Sequence, residues 1–271
     1  MIRVFTRRAA GSLAPVIALV LGAASCAPPP PPRLPGRGTV LERYDAARTA
    51  RERRAAAVAA DLLLWTRVAG VARPGVEGRV TIAAPETARL VVNGAFGVAL
   101  DLAARGDTLE GWVPSRHRAF TLDSTDTGGG LAPGAAACRA FGGLWQPPGT
   151  AWDAAVAVGD AWVVHWNERG DSLWMTVTAD GRPRRVEWRP SRGDTLGVSY
   201  ESWSVLDGEP WPDRLIFDET RGAVTVRARL ERIRLVSPTW ARMRAAIPEG
   251  TPRSSMEDLA SWWDDMLSGP R

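Results

Sequence analysis

The segment AWVVHWNERGDSLWMTVT, residues 161–178, indicates the fold most directly. Large apolar residues occupy alternate positions on both sides of residues 168–171, which is the pattern of half-buried β-strands. The four residues between the two runs, Glu-Arg-Gly-Asp, are typical of a tight hairpin turn. The segment therefore predicts two antiparallel strands whose apolar side chains lie on one face of a sheet.

The same alternation extends along most of the chain. Further strands are predicted at residues 96–102, 186–188, 196–200, 215–217 and 224–230, with turns at 105–107 and 179–181. After Leu230 the apolar phase shifts to Ile233 and Leu235, which predicts a β-bulge near residues 231–232. Because the loops between consecutive strands are short, an antiparallel meander is predicted rather than a parallel βαβ sheet.

Two helices are predicted beside these strands. Residues 39–61 are rich in Ala, Arg and Glu and contain no Gly or Pro, which favours a helix before the sheet. Residues 133–144 predict a short second helix, inserted between two sets of strands. The fold class predicted is mainly β (α+β), a single strongly curved antiparallel sheet with both helices packed on its concave face.

The first 26 residues are typical of a bacterial lipoprotein signal. Three arginines precede an apolar run that is too short and too interrupted for a transmembrane helix. The following residues 21–26, Leu-Gly-Ala-Ala-Ser-Cys, resemble the lipobox, so we expect removal of residues 1–25 and lipid attachment to Cys26. An ordinary signal peptide with a coincidental cysteine is the alternative. The proline-rich residues 26–38 then predict an extended tether.

The residue after Cys26 and the charge balance bear on location and partners. Ala27 stands there rather than an acidic residue, which in the enterobacterial sorting rule implies the outer membrane, on the side facing the periplasm. Removal of the three signal arginines from the 34 basic residues leaves 31, against 30 acidic residues, so the mature chain is nearly neutral. Arginines and acids are interleaved throughout, and no nucleic-acid partner is expected.

Residues 88–102, ARLVVNGAFGVALDL, have the order strand, glycine-containing loop, strand. Together with residues 107–114, DTLEGWVP, and with Pro248-Glu249-Gly250, they resemble the LolA/LolB superfamily, the periplasmic carrier and outer-membrane acceptor of lipoproteins. The resemblance extends over about residues 62–250. It implies that residues 39–250 form an unclosed β-barrel whose concave, apolar side binds acyl chains of lipids or lipoproteins.

The resemblance also implies where acyl chains bind. The expected cavity-lining residues are Val98, Leu100, Trp112, Trp162, Val164, Trp166, Met175 and Trp188. The same side chains could simply fill a closed core, which is the commoner position of apolar residues in strands. Ala95-Phe96-Gly97 stands where the family's acceptors have Pro-Leu-Gly, a loop that contacts the membrane. Phe96 also fits the inward phase of its own strand, which favours a core position over the membrane contact.

The sequence contains no recognisable catalytic or metal-binding motif. His117 and His165 fall on different predicted strands without ligand spacing, and the chain has no lysine for Schiff-base chemistry. Cys138 lies in an alanine-rich, apolar helical segment and is expected to be structural. We therefore expect no enzyme, no cofactor and no metal. Two functions remain, an acyl-chain-binding lipoprotein and a structural or interaction lipoprotein whose own helices fill the cavity.

Residues 251–271 predict an acidic amphipathic helix at the end of the chain. Ser254 and Glu257 have the spacing of a capping box, and apolar residues follow at helical intervals. Membrane-surface helices usually carry Lys or Arg on the polar face, whereas this one carries acids. Docking on the domain itself or on a periplasmic protein partner is therefore the expected role.

Overall fold

One antiparallel sheet contains the fourteen strands of the described part of the chain. The computed structural model describes residues 34–54, 57–123, 131–146, 152, 154–191, 195–219, 224–237 and 243–254. The predicted signal, Cys26, most of the tether and the tail from residue 255 onward lie outside the described residues. The strands are β1 Val58–Val68, β2 Val71–Ala72, β3 Val76–Ala83, β4 Thr87–Gly94, β5 Gly97–Arg105, β6 Thr108–Val113, β7 Arg118–Asp123, β8 Ala154–Val158, β9 Ala161–Glu168, β10 Asp171–Thr178, β11 Pro183–Arg189, β12 Leu196–Leu206, β13 Glu209–Glu219 and β14 Val224–Leu235.

The strand order makes the sheet a meander in which the first and last strands of the chain pair with each other. It runs β7-β6-β5-β4-β3-β1-β14-β13-β12-β11-β10-β9-β8, and the short β2 pairs with the end of β1. Strands β7 and β8 form the two edges, and the described residues contain no pairing between them. The predicted fold class, a mainly β protein with an unclosed barrel and two helices, is confirmed.

Both helices pack on the concave face. They are α1 Arg37–Arg54, before the sheet, and α2 Pro133–Gly142, in the connection between the two edge strands; a 3-10 turn, Pro114–Arg116, links β6 to β7. Val40 and Tyr44 of α1 and Cys138 of α2 are fully buried in one core with the inward side chains of the strands. None of the helices among the described residues is both long and apolar enough to cross a membrane.

The first helix ends earlier than the sequence predicts. A helix is expected over residues 39–61, but α1 ends at Arg54 and Val58 already begins β1. Val58, Ala60 and Leu62 are buried at alternate positions, and their strand pairs with β3 and β14 on either side. Strand pairing on both sides satisfies these backbone groups, and it outweighs the helix propensity of the alanines.

The predicted bulge in β14 is confirmed. The register between β1 and β14 shifts between Ala59 and Asp61, and Arg232 has a φ of 49°. The shift moves Ile233 to the concave side, where it packs against the core. The apolar residues of β14 before and after the bulge therefore both face the concave side of the sheet.

The C-terminal segment crosses the outer face and covers an edge. The buried carboxylate of Asp101 accepts hydrogen bonds from Arg89 (Nε 3.0 Å, Nη2 2.7 Å) and from the backbone N–H of Ala246 (2.8 Å). Further on, Ala119 of β7 donates to Pro252 O at 3.0 Å and accepts from Ser254 N at 2.7 Å. These bonds occupy backbone groups on the open side of an edge strand.

Strand directions define two ends of the barrel. Where β1, β9, β11 and β13 end, β10, β12 and β14 begin, and the β4–β5 hairpin turns at the same level. We call this the upper end. The β12–β13 hairpin and the β3–β4 turn lie at the lower end.

Candidate functional site

An apolar cavity lies on the concave face between α2 and strands β11–β14, at the upper end. Its volume is about 430 Å³. It is lined by Ala136, Ala137, Ala140, Phe141, Trp145, Val186, Trp188, Leu196, Gly197, Val198, Phe217, Asp218, Glu219, Val224 and Val226. Asp218 and Glu219, at the end of β13, are the acidic residues of this set. The cavity is therefore an apolar space with charged groups at one margin.

The small side chains of α2 explain why space remains here. Ala136, Ala137 and Ala140 face the sheet across the cavity, and an alanine side chain ends at Cβ. Phe141 bridges the gap at one side, with its ring 5.4 Å from that of Phe217. A helix with larger residues at the three alanine positions would contact the sheet directly, as interiors usually do.

A buried carboxylate holds one wall of the cavity. Asp171, 1% exposed, accepts hydrogen bonds from Trp188 Nε1 (2.7 Å), Ser191 N (3.0 Å) and Leu131 N (3.2 Å). The three donors satisfy the buried carboxylate and orient the Trp188 indole. Asp171 also joins the segment before α2 to the upper end of the sheet. The sequence assigns Asp171 only to a hairpin turn, and no motif marks its role.

Hydrogen bonds from aromatic side chains hold the C-terminal end of α2 in place. Trp145 Nε1 donates to Tyr200 Oη at 2.6 Å, and Tyr200 donates to Ala140 O at 3.0 Å. Tyr44 of α1 donates to Trp145 O. Burial raises the pKa of both tyrosines far above its usual value, so both remain neutral donors. The network links α1, α2 and β12.

A buried arginine completes this network. The Arg51 guanidinium donates from Nη2 to Gly143 O at 3.0 Å and lies 5.4 Å from the centre of the Trp203 ring. Burial lowers the pKa of Arg51 from its ordinary value. Its contacts fix α1 against the turn that follows α2, and so hold both helices over the concave face.

The concave face under α1 is closely filled. Trp152 contacts Tyr44 and Trp166 edge-on, with ring centres 6.2 and 5.4 Å apart. Val164 and Met175 are fully buried in the same region. The open part of the concave face is therefore the part next to α2 and β11–β14.

The eight expected cavity residues do not lie together. Trp188 lines the cavity, whereas Val164, Trp166 and Met175 lie in the filled core. Trp162 is half-buried against that core and donates from Nε1 to Pro35 O at 3.0 Å. The apolar side chains of β9 and β10 point inward as expected. Whether a cavity remains in front of a strand depends on the helix residues that face it.

The remaining three lie away from the cavity. Leu100 is half-buried and Val98 is exposed, both in β5 near the β4–β5 turn. Trp112 is directly opposite Asp101 in the sheet, so the two share the outer face. The Trp112 ring is buried and contacts His117 edge-on at 6.3 Å. Of the residues expected at the cavity, only Trp188 is among its lining residues.

The Ala95–Phe96 turn projects from the upper end. It joins β4 to β5, and the Phe96 side chain is fully exposed. The expectation that Phe96 packs into the core is therefore wrong, because the residue forms the turn and no longer follows the inward phase of the strand. Gly97, with a φ of 111°, permits the sharp return of the chain.

The residues considered for chemistry are separate from one another. His165 stacks on Trp174 at 4.3 Å, far along the sheet from His117. Cys138 is buried, its Sγ lies 3.1 Å from Thr87 O, and burial raises its pKa to about 12, so the thiol stays protonated. In the parts of the chain that the structure describes, no group of three or more His, Cys, Asp or Glu side chains has the geometry of a metal site.

Comparison with known proteins shows the fold. No family model and no curated protein matches the sequence. A LolA superfamily protein from Nitrosomonas europaea is 15% identical, with a TM-score of 0.52 over 76% of this chain and 96% of that one. A putative outer membrane lipoprotein-sorting protein domain from Vibrio parahaemolyticus is 11% identical, with a TM-score of 0.53 over 75% and 95%. A DUF1329 family protein from Desulfovibrio piger is 9% identical, with a TM-score of 0.52 over 76% and 97%. The chain therefore has a LolA/LolB-like fold, as its sequence predicts.

Proposed function

We propose that this protein is a lipid-anchored protein of the bacterial cell envelope that binds acyl chains in the cavity between α2 and β11–β14. The observation that carries the proposal is the apolar cavity of about 430 Å³, within the roughly 300–1,000 Å³ of small-molecule sites. The fold supports it, because one solved structure that shares the fold is described as a lipoprotein-sorting domain. The ligand would be a lipid or the acyl portion of a lipoprotein.

The cavity supplies the interaction that an acyl chain needs. Transfer of each methylene from water gains about 0.8 kcal/mol, so about ten methylenes contribute roughly 8 kcal/mol before the cost of association. Because the cost of association is subtracted from this gain, the dissociation constant can be no lower than about 1 μM, which suits reversible loading and release. The hydrocarbon part of an acyl chain has no polar groups, so the apolar walls need to supply no hydrogen-bonding partner for it.

Two features would place the domain at a membrane, the lipid anchor and the turn between β4 and β5. Lipid on Cys26 and the tether at residues 26–38 would hold the domain near the outer membrane. The Ala95–Phe96 turn, which joins β4 to β5 and exposes the Phe96 side chain, would contact the bilayer.

Displacement of a fluorescent fatty-acid probe tests the binding site. The protein used is the soluble chain 27–271, because the buried core residues lie between Val40 and Met243 in the compact unit Pro35–Arg271. Ala137→Trp places an indole in the cavity, and we expect at least about tenfold weaker probe binding, equal to about 1.4 kcal/mol. Ala46→Trp, on the exposed side of α1, is the matched control.

Two outcomes would reject the proposal. Probe binding that is equally strong in the Ala137→Trp variant and its control would place the probe elsewhere. A wild-type chain that binds neither the probe nor any lipid visible by native mass spectrometry would favour the second candidate, a structural or interaction lipoprotein. The close packing under α1, around Trp152 and Trp166, is the observation that favours this second candidate.

A further inference from the structure

The outer face of the barrel carries a cluster of arginines. A groove of about 520 Å³ runs over β1, β13 and β14. We define the arginine groove by the five basic residues that line it, Arg67, Arg73, Arg214, Arg227 and Arg229. Glu201 is the acidic residue among its lining side chains, and Trp65 forms part of its wall. The groove is therefore strongly basic, although the net charge of the whole chain is only +4.

Strand register produces this cluster. Arg229 is directly opposite Arg214 of β13, and Arg227 is directly opposite Trp65 of β1. Directly opposite residues share a face, so arginines that are separated by acids and apolar residues along the sequence become neighbours. Arginines that alternate with other residues along the sequence thus form one basic surface on the folded sheet.

The arrangement is electrostatically unfavourable without a counter-charge. Like charges that are directly opposite in a sheet destabilise it, and Arg214 and Arg229 form such a pair. Arg229 has an ion pair with Glu231 at 3.1 Å, but Arg67, Arg214 and Arg227 form no ion pair within the described residues. A bound anion would offset this repulsion.

The position of the groove indicates the kind of anion. It extends to the upper end, where Arg67 and Arg73 flank the β1–β2 turn. Val71, directly after that turn, is 57% exposed, Trp65 is 42% exposed, and Phe96 projects from the β4–β5 hairpin. Exposed apolar and aromatic residues next to arginines are typical of surfaces that bind at the headgroup level of a bilayer.

We propose that the arginine groove binds the phosphate groups of anionic lipids and docks the upper end of the barrel on a membrane surface. Arginine suits this role because its planar donors match phosphate oxygens. Val71 and Phe96 enter the interface while the groove contacts the headgroups. The proposal does not depend on whether the cavity under α2 holds an acyl chain.

Vesicle flotation of the soluble chain 27–271 tests the docking surface. Vesicles of phosphatidylcholine alone are compared with vesicles that contain about one-third phosphatidylglycerol. Each arginine near an anionic surface contributes about fivefold to partition, so Arg67→Gln with Arg227→Gln should lower binding to anionic vesicles about 25-fold. Both side chains are exposed, and folding should be unaffected.

The matched control removes the same charge at the other end of the same face. It is Arg232→Gln with Arg234→Gln, about 20 Å from Arg227 along β14, roughly two Debye lengths at physiological salt. We expect control binding within about twofold of wild type, and we expect added salt to abolish the preference for anionic vesicles.

Three results would overturn the proposal. They are an equal loss of binding in the control, no preference of the wild type for anionic vesicles, and binding of polyglutamate through Arg67 and Arg227 without vesicle binding. The last would assign the groove to an acidic protein partner. Uptake of the fatty-acid probe in solution is measured in parallel, and the part of the uptake that Ala137→Trp removes reports on the cavity, so failure of one proposal is distinguishable from failure of the other.

Discussion

Asp171 should contribute more to stability than any surface carboxylate, because it is buried and accepts three hydrogen bonds. Replacement by Ala removes the acceptor for Trp188 Nε1, Ser191 N and Leu131 N. Each buried donor left without a partner costs about 1–3 kcal/mol. Two of the three donor residues are partly accessible to water, so we expect a total loss of about 3–5 kcal/mol. This is a large part of the roughly 5–15 kcal/mol that stabilises a typical domain.

Equilibrium unfolding in urea, followed by far-ultraviolet circular dichroism, measures this loss. The midpoint should fall in Asp171→Ala with little change in slope, and Asp171→Asn should fall less because one acceptor oxygen remains. Asp160→Ala is the control, since that exposed carboxylate pairs with Arg184 at the surface and its removal should leave the midpoint unchanged.

The same variant should weaken acyl-chain binding. Without its acceptor the Trp188 indole loses its fixed position at the cavity wall, and the fatty-acid probe should bind about tenfold more weakly. Identical urea midpoints in Asp171→Ala and Asp160→Ala would refute the reasoning, because the three hydrogen bonds would then contribute nothing. A lower urea midpoint of Asp171→Ala with unchanged probe affinity would mean that Asp171 stabilises the fold but does not affect acyl-chain binding.

Two further predictions concern buried and exposed side chains. Burial raises the pKa of Cys138 from 9.0 to about 12, so the stability that the protonated thiol contributes is complete below about pH 9 and is lost as pH rises towards 12. Iodoacetamide at pH 8 should therefore modify the thiol only after unfolding. Rapid labelling of the native protein would contradict this. Phe96→Ser should reduce partition onto phosphatidylcholine vesicles about fivefold without lowering the melting temperature. The control Val205→Ser, at an exposed residue of the lower end, should change neither quantity. A lower melting temperature of Phe96→Ser would mean that Phe96 packs in the core.

The sequence is informative wherever one phase of a strand faces the core and the other faces water. Trp166 and Met175 follow this pattern, and their strands and the turn between them are predicted correctly. The bulge near Arg232 is also visible in the sequence, because an inserted residue is what shifts the apolar phase of a long strand. The helix predicted over residues 58–61 is wrong because alanine favours helices strongly, and only pairing with β3 and β14 makes this segment a strand.

Strand β6 shows where alternation stops being sufficient. Gly111, Trp112 and Val113 are all buried, so neither phase is polar and the sequence cannot say which side faces the cavity. The C-terminal segment covers the outer face of the neighbouring strands, with Ala246 bonded to Asp101. That cover lets the outer-facing Trp112 be buried as deeply as a core residue.

By itself the sequence determined that the chain forms one curved antiparallel sheet with two helices, because alternation with a period of two is a local property. Only the tertiary structure decided which part of the concave face stays open and which residues meet on the outer face. The cavity exists because the alanines of α2 lie opposite Phe217 and Val226, and the arginine groove exists because β14 is in register with β1 and β13. Both depend on contacts between residues far apart in the chain, which no local pattern specifies.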